Sequence, residues 1–352
     1  MKKNCRIIAV VLSVAMLLSM NIIASAEDTI NYEELVNTLN SIANETIQVE
    51  TQVENEYSLK TYKNIQEFVT ESEQQIPDIS KSDIGRFLIE YTGQGNSEEL
   101  PDNILVETAD FFEIAVQEEY LQVTPNGSVS VSETQAMSAI QSRFIANDTI
   151  SPMAYWTSSD GYMAIETTFS LSKTSGNKKY YVVSAKANWL KEPTFTLKDV
   201  ICISNTATYD DSYNDYAYYK QSHSCYRNGS LHNTSNKFSD KYADGSGQGS
   251  MVEFFYNSTN GVGARVDIQG YGCSGSGDPG QHTYAMHYME AYIRYRIICN
   301  TGNSYNIQGA YSHAEMGVGS IGLSISAGGA GISFSYAGSK SDFKARPVTI
   351  NA

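Results

Sequence analysis

Apolar residues recur along the chain with two periods, and the change falls near residue 150. Before it, Leu35, Leu39 and Ile42 stand four and three apart, and Val49 and Val53 prolong the stripe. Ile65, Phe68 and Val69 repeat the spacing. So do Ile84, Phe87, Leu88 and Tyr91, then Phe111, Ile114 and Ala115 with Glu118, then Met137, Ile140 and Phe144. Such spacing lines up one face of a helix. Asn31 with Glu34, and Ser132 with Gln135, stand three apart as capping pairs. The expectation is a helical region over 27–150.

After residue 150 the period drops to two. Strands are expected at Tyr162–Leu171 and Tyr180–Leu190 around Ser175-Gly176-Asn177, and at Phe195–Ile203. Met251–Tyr256 and Val262–Ile268 form another pair. Tyr284–Cys299 and Tyr305–His313 flank Thr301-Gly302-Asn303. Ser239–Ser250 and Ser274–Gly280 read as Gly/Ser/Asp loops. The fold class that follows is α+β overall: an acidic helical N-terminal region, then an all-β antiparallel sandwich-like domain over 151–352.

The alternation is cleanest from Ser320 to Gly338. Ile321, Leu323, Ile325 and Ala327 alternate with Gly322, Ser324 and Ser326. Ala330, Ile332, Phe334 and Tyr336 alternate with Gly331, Ser333 and Ser335. Gly328-Gly329 suits a tight turn, because glycine accepts positive φ. This is a hairpin with one dry face. An isolated hairpin is marginal in water, so the dry face needs a second sheet, a partner or a bilayer. A membrane-spanning strand needs about 9–11 residues, and both arms approach that length. Ile321, Leu323, Ile325, Ile332, Phe334 and Tyr336 are therefore candidates for a membrane hairpin.

The first 26 residues carry Lys2, Lys3 and Arg6, an apolar run from Ile7 to Met20, and Ala24-Ser25-Ala26. This is the pattern of a secretory signal peptide. No second long apolar run occurs, so a secreted, extracellular protein without a permanent transmembrane anchor is expected. Charge divides the rest. Residues 27–150 hold 24 acidic and 5 basic side chains, and 151–352 hold 15 and 16. The domains expected are 1–26, 27–150 and 151–352. The acidic region reads as a pro-segment removed near residue 150, or as an ordinary N-terminal domain or a loosely ordered, highly charged region. No basic cluster is available for phosphates, so nucleic acid is not an expected partner.

Cys202, Cys225, Cys273 and Cys299 are an even set in a secreted chain, which makes two disulfides the default. Three pairings are open; strand with strand (Cys202, Cys299) and loop with loop (Cys225, Cys273) suits the pattern. A zinc site from His223, Cys225 and His232 matches no common spacing. His282, His287 and Glu290 contain no H-E-x-x-H. No nucleophile elbow, P-loop or dinucleotide fingerprint occurs, and Asp160 with Glu166 are carboxylate candidates only in the general sense.

Tyr209–Tyr219 is the most unusual polar stretch. Asp210, Asp211, Asn214 and Asp215 offer oxygen ligands for calcium, although not at EF-hand spacing. Tyr213, Tyr216, Tyr218 and Tyr219 offer an aromatic surface for a sugar or protein. The tract SPMAYWTSSDGY at 151–162, with NWL at 188–190, resembles secreted proteins of Gram-positive bacteria and fixes no family. No cofactor is called for. The reading is a secreted, non-catalytic β-rich module that binds an extracellular glycan, a protein or a membrane surface. The alternative is a secreted hydrolase whose site is assembled from distant residues.

Overall fold

The computed structural model describes residues 32–54, 56–95, 97–124, 127–138, 161–190, 197–227, 230–268, 282–316, 319–326 and 331–352. The expected signal peptide lies outside them. Two compact units divide the chain, Met1–Ser41 and Ile42–Ala352. Among the described residues strand makes up 57% and helix 21%, so the fold is mainly antiparallel β with helices as the minor part.

Among the described residues, three longer helices form where the 3–4 spacing placed them: α1 (Tyr32–Thr46), α2 (Ile65–Gln75) and α3 (Lys81–Thr92). A fourth, α4 (Asp102–Ala109), forms where no stripe was read. Helical turns also occupy 133–138, and the Ser132 hydroxyl accepts the Gln135 N–H at 3.2 Å, as the capping pair requires. Helix α3 is capped at both ends: the Ser80 side chain accepts from Asp83 N–H, and Gly93 takes the left-handed conformation at φ 76°.

Two helical expectations in this region are corrected. Val49 and Val53 belong to strand β1 (Gln48–Glu54), paired with β2 (Tyr57–Lys63). The run is alternating, with β-branched residues at every second position. Phe111 to Glu118 leads into strand β3 (Glu113–Thr124), which pairs with β4 (Gly127–Val131). Ile114, Ala115 and Val116 are all buried. A strand covered on both faces loses its alternation and can imitate helical spacing.

The remaining strands follow in chain order. They are β5 (Tyr162–Ser175), β6 (Lys178–Trp189), β7 (Lys198–Asn205), β8 (Thr208–Tyr209), β9 (Tyr216–Arg227), β10 (Ser230–Tyr242), β11 (Val252–Ser258) and β12 (Gly261–Asp267). Then come β13 (His282–Asn300), β14 (Ser304–Met316), β15 (Gly322–Ile325), β16 (Ile332–Ser335), β17 (Ser339–Lys344) and β18 (Val348–Asn351). The larger sheet runs β1-β2-β3-β5-β6-β13-β9-β10, with β4 on β3 and β8 on β13. The smaller sheet runs β11-β12-β7-β14-β17, with β18 on β14, and β15-β16 stands as a separate pair. Part of the expected loop at Ser239–Ser250 is strand, since β10 reaches Tyr242; the Ser274–Gly280 loop lies outside the described residues.

The two larger sheets share one apolar layer. Ile165, Val183, Ala185, Ile293 and Tyr295 meet Ile201, Ile203, Val262, Ile307 and Tyr311 there. Trp189 anchors it, edge-on to Tyr311 at 6.0 Å and to Phe343 at 5.3 Å. The acidic region is built into this scaffold. β3 pairs with β5 from Glu113↔Leu171 to Gln122↔Tyr162, and Ala115, Leu121 and Val123 enter the shared layer.

Cys202 and Cys299 are buried free thiols, which corrects the strand-with-strand pairing. The layering explains it. Cys299 lies between the two sheets, whereas Cys202 on β7 points out of the far face of the smaller sheet. Burial pushes the Cys299 thiol up to about 12 and Cys202 further still. Cys225 is near the end of β9, and Cys273 lies outside the described residues.

Two outcomes follow from this layering. Cutting the chain near residue 150 leaves the halves joined through the β3–β5 ladder, so they co-elute on gel filtration and part only in denaturant. Alkylation followed by mass spectrometry should leave Cys202 and Cys299 unmodified in the native protein and modify both once it is unfolded.

Candidate functional site

The smaller sheet is dry on both faces. Along β7, Ile201 and Ile203 point to the shared layer, while Val200 and Cys202 point away from it. Along β14, Tyr311 points inward, and Ala310 and Ala314 point outward. The outward residues need a cover. The β15–β16 hairpin supplies it.

The hairpin register is Gly322↔Ser335, Leu323↔Phe334, Ser324↔Ser333 and Ile325↔Ile332. Residues directly opposite share a face, so the alternation read from the sequence survives intact. Ile321, Ile325, Ile332 and Phe334 are buried, and Leu323 and Tyr336 are half-buried against the same cluster. Ser324, Ser326, Ser333 and Ser335 are exposed. The Gly328-Gly329 turn lies outside the described residues.

The seat is built from small side chains. Its floor is Val200, Cys202, Ala310 and Ala314, with Leu197, Phe255 and Tyr256 at the rim. Two glycines of β12 lie under the hairpin. A Cβ at Gly263 would come within 2.4 Å of Leu323 Cδ2, and one at Gly261 within 2.5 Å of Ile325 Cδ1. Directly under the hairpin the sheet therefore presents small residues, and its larger apolar members, Leu197, Phe255 and Tyr256, are half-buried around them. Among the described residues, few polar contacts add to this. Lys344 Nζ donates to the Ile332 carbonyl at 2.6 Å, and the Ile325 N–H donates to the Tyr256 hydroxyl at 3.3 Å.

The strands leading into and out of the hairpin are themselves paired. β14 and β17 run antiparallel up to Met316↔Ser339, and the hairpin ladder begins at Gly322↔Ser335. One long hairpin is thus folded back on itself. From Met316 to Ser339 no residue is charged; Glu315 and Lys340 bound the segment. Beneath it, Asp199 fixes the end of β14. Its carboxylate accepts from the Tyr311 hydroxyl at 2.6 Å and the Ala314 N–H at 3.0 Å, and lies 2.8 Å from His313 Nδ1.

The tyrosines singled out at 213–219 do not form a surface. Tyr216 and Tyr218 are buried beneath helix α4, against Ile104, and Tyr219 points into the layer between the sheets. Tyr213 donates to Glu107 Oε2 at 2.8 Å, and the Arg294 guanidinium stands 5.3 Å from its ring. Arg294 also binds Glu107 directly. The reason is topological. β9 is an inner strand of the larger sheet, flanked by β13 and β10, and α4 lies over it. Periodicity within β9 carries no sign of that cover.

The other candidates are dispersed. Asp210 is held by Arg296 at 2.7 Å and by Ser212 at 2.6 Å, so its oxygens are engaged. Burial raises the Asp215 carboxyl to about 7, and its Oδ2 accepts from the Tyr209 hydroxyl. Among the described residues, no three His, Cys, Asp or Glu side chains are placed to hold a metal. Glu166 forms a buried pair with Lys186 at 2.9 Å, and Asp160 lies outside the described residues. His287 sits in a β-bulge of β13 with Nε2 2.7 Å from Ser224 Oγ, whereas Glu290 pairs with Lys220 at 3.2 Å. These groups do not converge on a reacting centre. No described helix is long and apolar enough to cross a membrane.

No protein-family model and no curated protein sequence matches the chain. Two solved structures are similar in part. One is the membrane-inserted form of the NetB toxin of Clostridium perfringens, 10% identical, covering 43% of this chain and 78% of that one, with a TM-score of 0.17. The other, described as a pore forming protein, is 7% identical and covers 68% of this chain and 90% of that one, with a TM-score of 0.22. Neither score is high enough to establish a shared fold.

Proposed function

We propose that this is a secreted membrane-interacting protein whose 316–339 segment leaves its seat and enters a lipid bilayer as a β-hairpin. The observation that carries this reading is the unequal division of apolar bulk between hairpin and seat. Ile321, Leu323, Ile325, Ile332 and Phe334 are each worth about 1.5–3 kcal/mol when fully removed from water. Hydrocarbon removes them from water as well as the sheet does. The floor left behind is alanine, glycine, cysteine and one valine, and the larger Leu197, Phe255 and Tyr256 around it are already partly exposed. Moving the hairpin from sheet to lipid therefore leaves its apolar side chains about as well buried as before.

The rest of the segment suits the same destination. It lacks charge, which is costly in hydrocarbon. Its second face is Gly and Ser, compatible with a water-filled lumen. Continued as strands from β14 and into β17, the arms 317–326 and 331–339 reach the roughly 9–11 residues that a tilted strand needs. A single hairpin would leave two unpaired edges in lipid, which is not tolerated. Several copies must close a barrel together. The stacked sheets, a sandwich in this reading, serve as the scaffold. In this reading the signal-peptide pattern at 1–26 sends the protein out of the cell, and the bilayer is its partner.

The test is dye release from liposomes by the full mature chain. Release is expected, and its absence at every lipid composition and pH would overturn the proposal. A fluorophore placed by cysteine substitution should then alternate: blue-shifted at Leu323 and Phe334, unshifted at Ser324 and Ser333. A uniform shift would rule out a spanning strand. Gly263→Val fills the place of Leu323. Overpacking of this kind costs about 1–3 kcal/mol, so the segment should be cut faster by protease in solution and dye released sooner than with the unsubstituted protein.

A further inference from the structure

The larger sheet ends on one side at β1, and among the described residues no strand pairs with its outer edge. All seven residues of β1 are exposed. Val49 is 45% and Val53 71% exposed. Proteins commonly guard such an edge with lysine, proline or a bulge. The opposite edge of the sheet has such guards. β10 carries Lys237 and Lys241, a register shift at Leu231/Asn233, and a flanking loop whose Gln248 and Ser246 carbonyls accept its Asp240 and Tyr242 N–H groups. β1 carries no lysine, proline or bulge, its charges are Glu50 and Glu54, and no described loop bonds its outer edge. Its ladder with β2 runs without a shift from Gln48↔Lys63 to Glu54↔Tyr57.

The order of residues in β1 is Gln-Val-Glu-Thr-Gln-Val-Glu. It is a triplet repeated around Thr51. Laid antiparallel on a second copy of itself, centred on Thr51, it sets Gln48 opposite Glu54, Val49 opposite Val53, and Glu50 opposite Gln52. Each glutamine amide can then donate to a carboxylate, and the valines pair on the other face. Cross-strand pairs of these kinds stabilise a sheet, and like charges directly opposite destabilise it. Other registers fail on that rule. A slip of two residues puts Glu50 opposite Glu54 or Glu50 opposite Glu50. A slip of one puts valine against glutamate or glutamine. Within its own chain, Glu50 is held by Lys63 Nζ at 2.8 Å, which offsets the charge brought to the edge.

We infer that β1 is a self-pairing edge that joins two copies of this chain into a two-fold dimer, with the larger sheets continuous across Thr51. The interface is isologous: position 49 of each copy meets position 53 of the other. The inference does not depend on the membrane reading, because it concerns an edge of the larger sheet, to which the β15–β16 pair does not belong, and the protein in solution.

The test is light scattering coupled to gel filtration on the full mature chain. The unsubstituted protein should elute at twice the chain mass. V49E/V53E places glutamate against glutamate twice and should halve the mass. V49E/V53K has the same number of altered positions but places glutamate against lysine, and should restore the dimer. V49K/V53K should remain a monomer. Circular dichroism should match across the set, since both positions are exposed. A monomeric unsubstituted protein, a V49E/V53E variant that stays dimeric through some other surface, or a well-folded V49E/V53K variant that stays monomeric would each overturn the inference.

Discussion

A sheet that is apolar on both faces must be covered on both, and the smaller sheet here meets that demand from two sources. One face stacks on the larger sheet, where Trp189, Tyr311 and Phe343 interlock. The other is covered by residues of the sheet's own connection between β14 and β17. The first cover is held by long ladders and bulky side chains on both sides. The second rests on bulky hairpin side chains over a floor of small residues rimmed by Leu197, Phe255 and Tyr256, with few hydrogen bonds among the described residues. Stability is not spread evenly through a fold, and the second cover is held by fewer ladders than the first.

Polar chemistry is concentrated on the opposite face of the molecule's larger sheet. Glu166 with Lys186 and Glu290 with Lys220 form buried ion pairs, and Tyr218 donates to Glu290. Arg294 lies among Tyr213, Tyr216 and Glu107. Each charge is paired, as burial requires. The outcome is a tie between the acidic N-terminal region and the β scaffold. Glu107 comes from α4, and the Gly93 carbonyl at the end of α3 accepts from Lys186 Nζ at 3.5 Å. Together with β3 inside the sheet, these contacts tie the 93–124 part of the acidic region to the scaffold.

The two readings drawn from the structure use different parts of this arrangement. The hairpin is a segment whose best alternative environment is apolar. The β1 edge is a strand whose best partner is polar and apolar by turns, in an order that suits its own reverse. Both depend on strict alternation, because side chains two apart share a face and a slip of one residue exchanges the faces.

The sequence by itself determined local period and turn. The hairpin's dry and wet faces, its apolar members from Ile321 to Phe334, the β5–β6 and β13–β14 pairs and their Gly176 and Gly302 turns could all be read from it, since side-chain alternation and positive φ at glycine are local facts. Three of the helical stripes were legible for the same reason. What required the tertiary structure was anything set by covering. Strand β3 hid its type because both its faces are buried. The 213–219 tyrosines looked like a surface because the α4 cover comes from a distant part of the chain. Cys202 and Cys299 looked like partners, yet they lie on different sides of one sheet. The seat of small residues beneath Leu323 and Ile325 was invisible for a like reason: Gly261, Gly263, Ala310 and Ala314 meet only when three strands far apart in sequence are laid side by side.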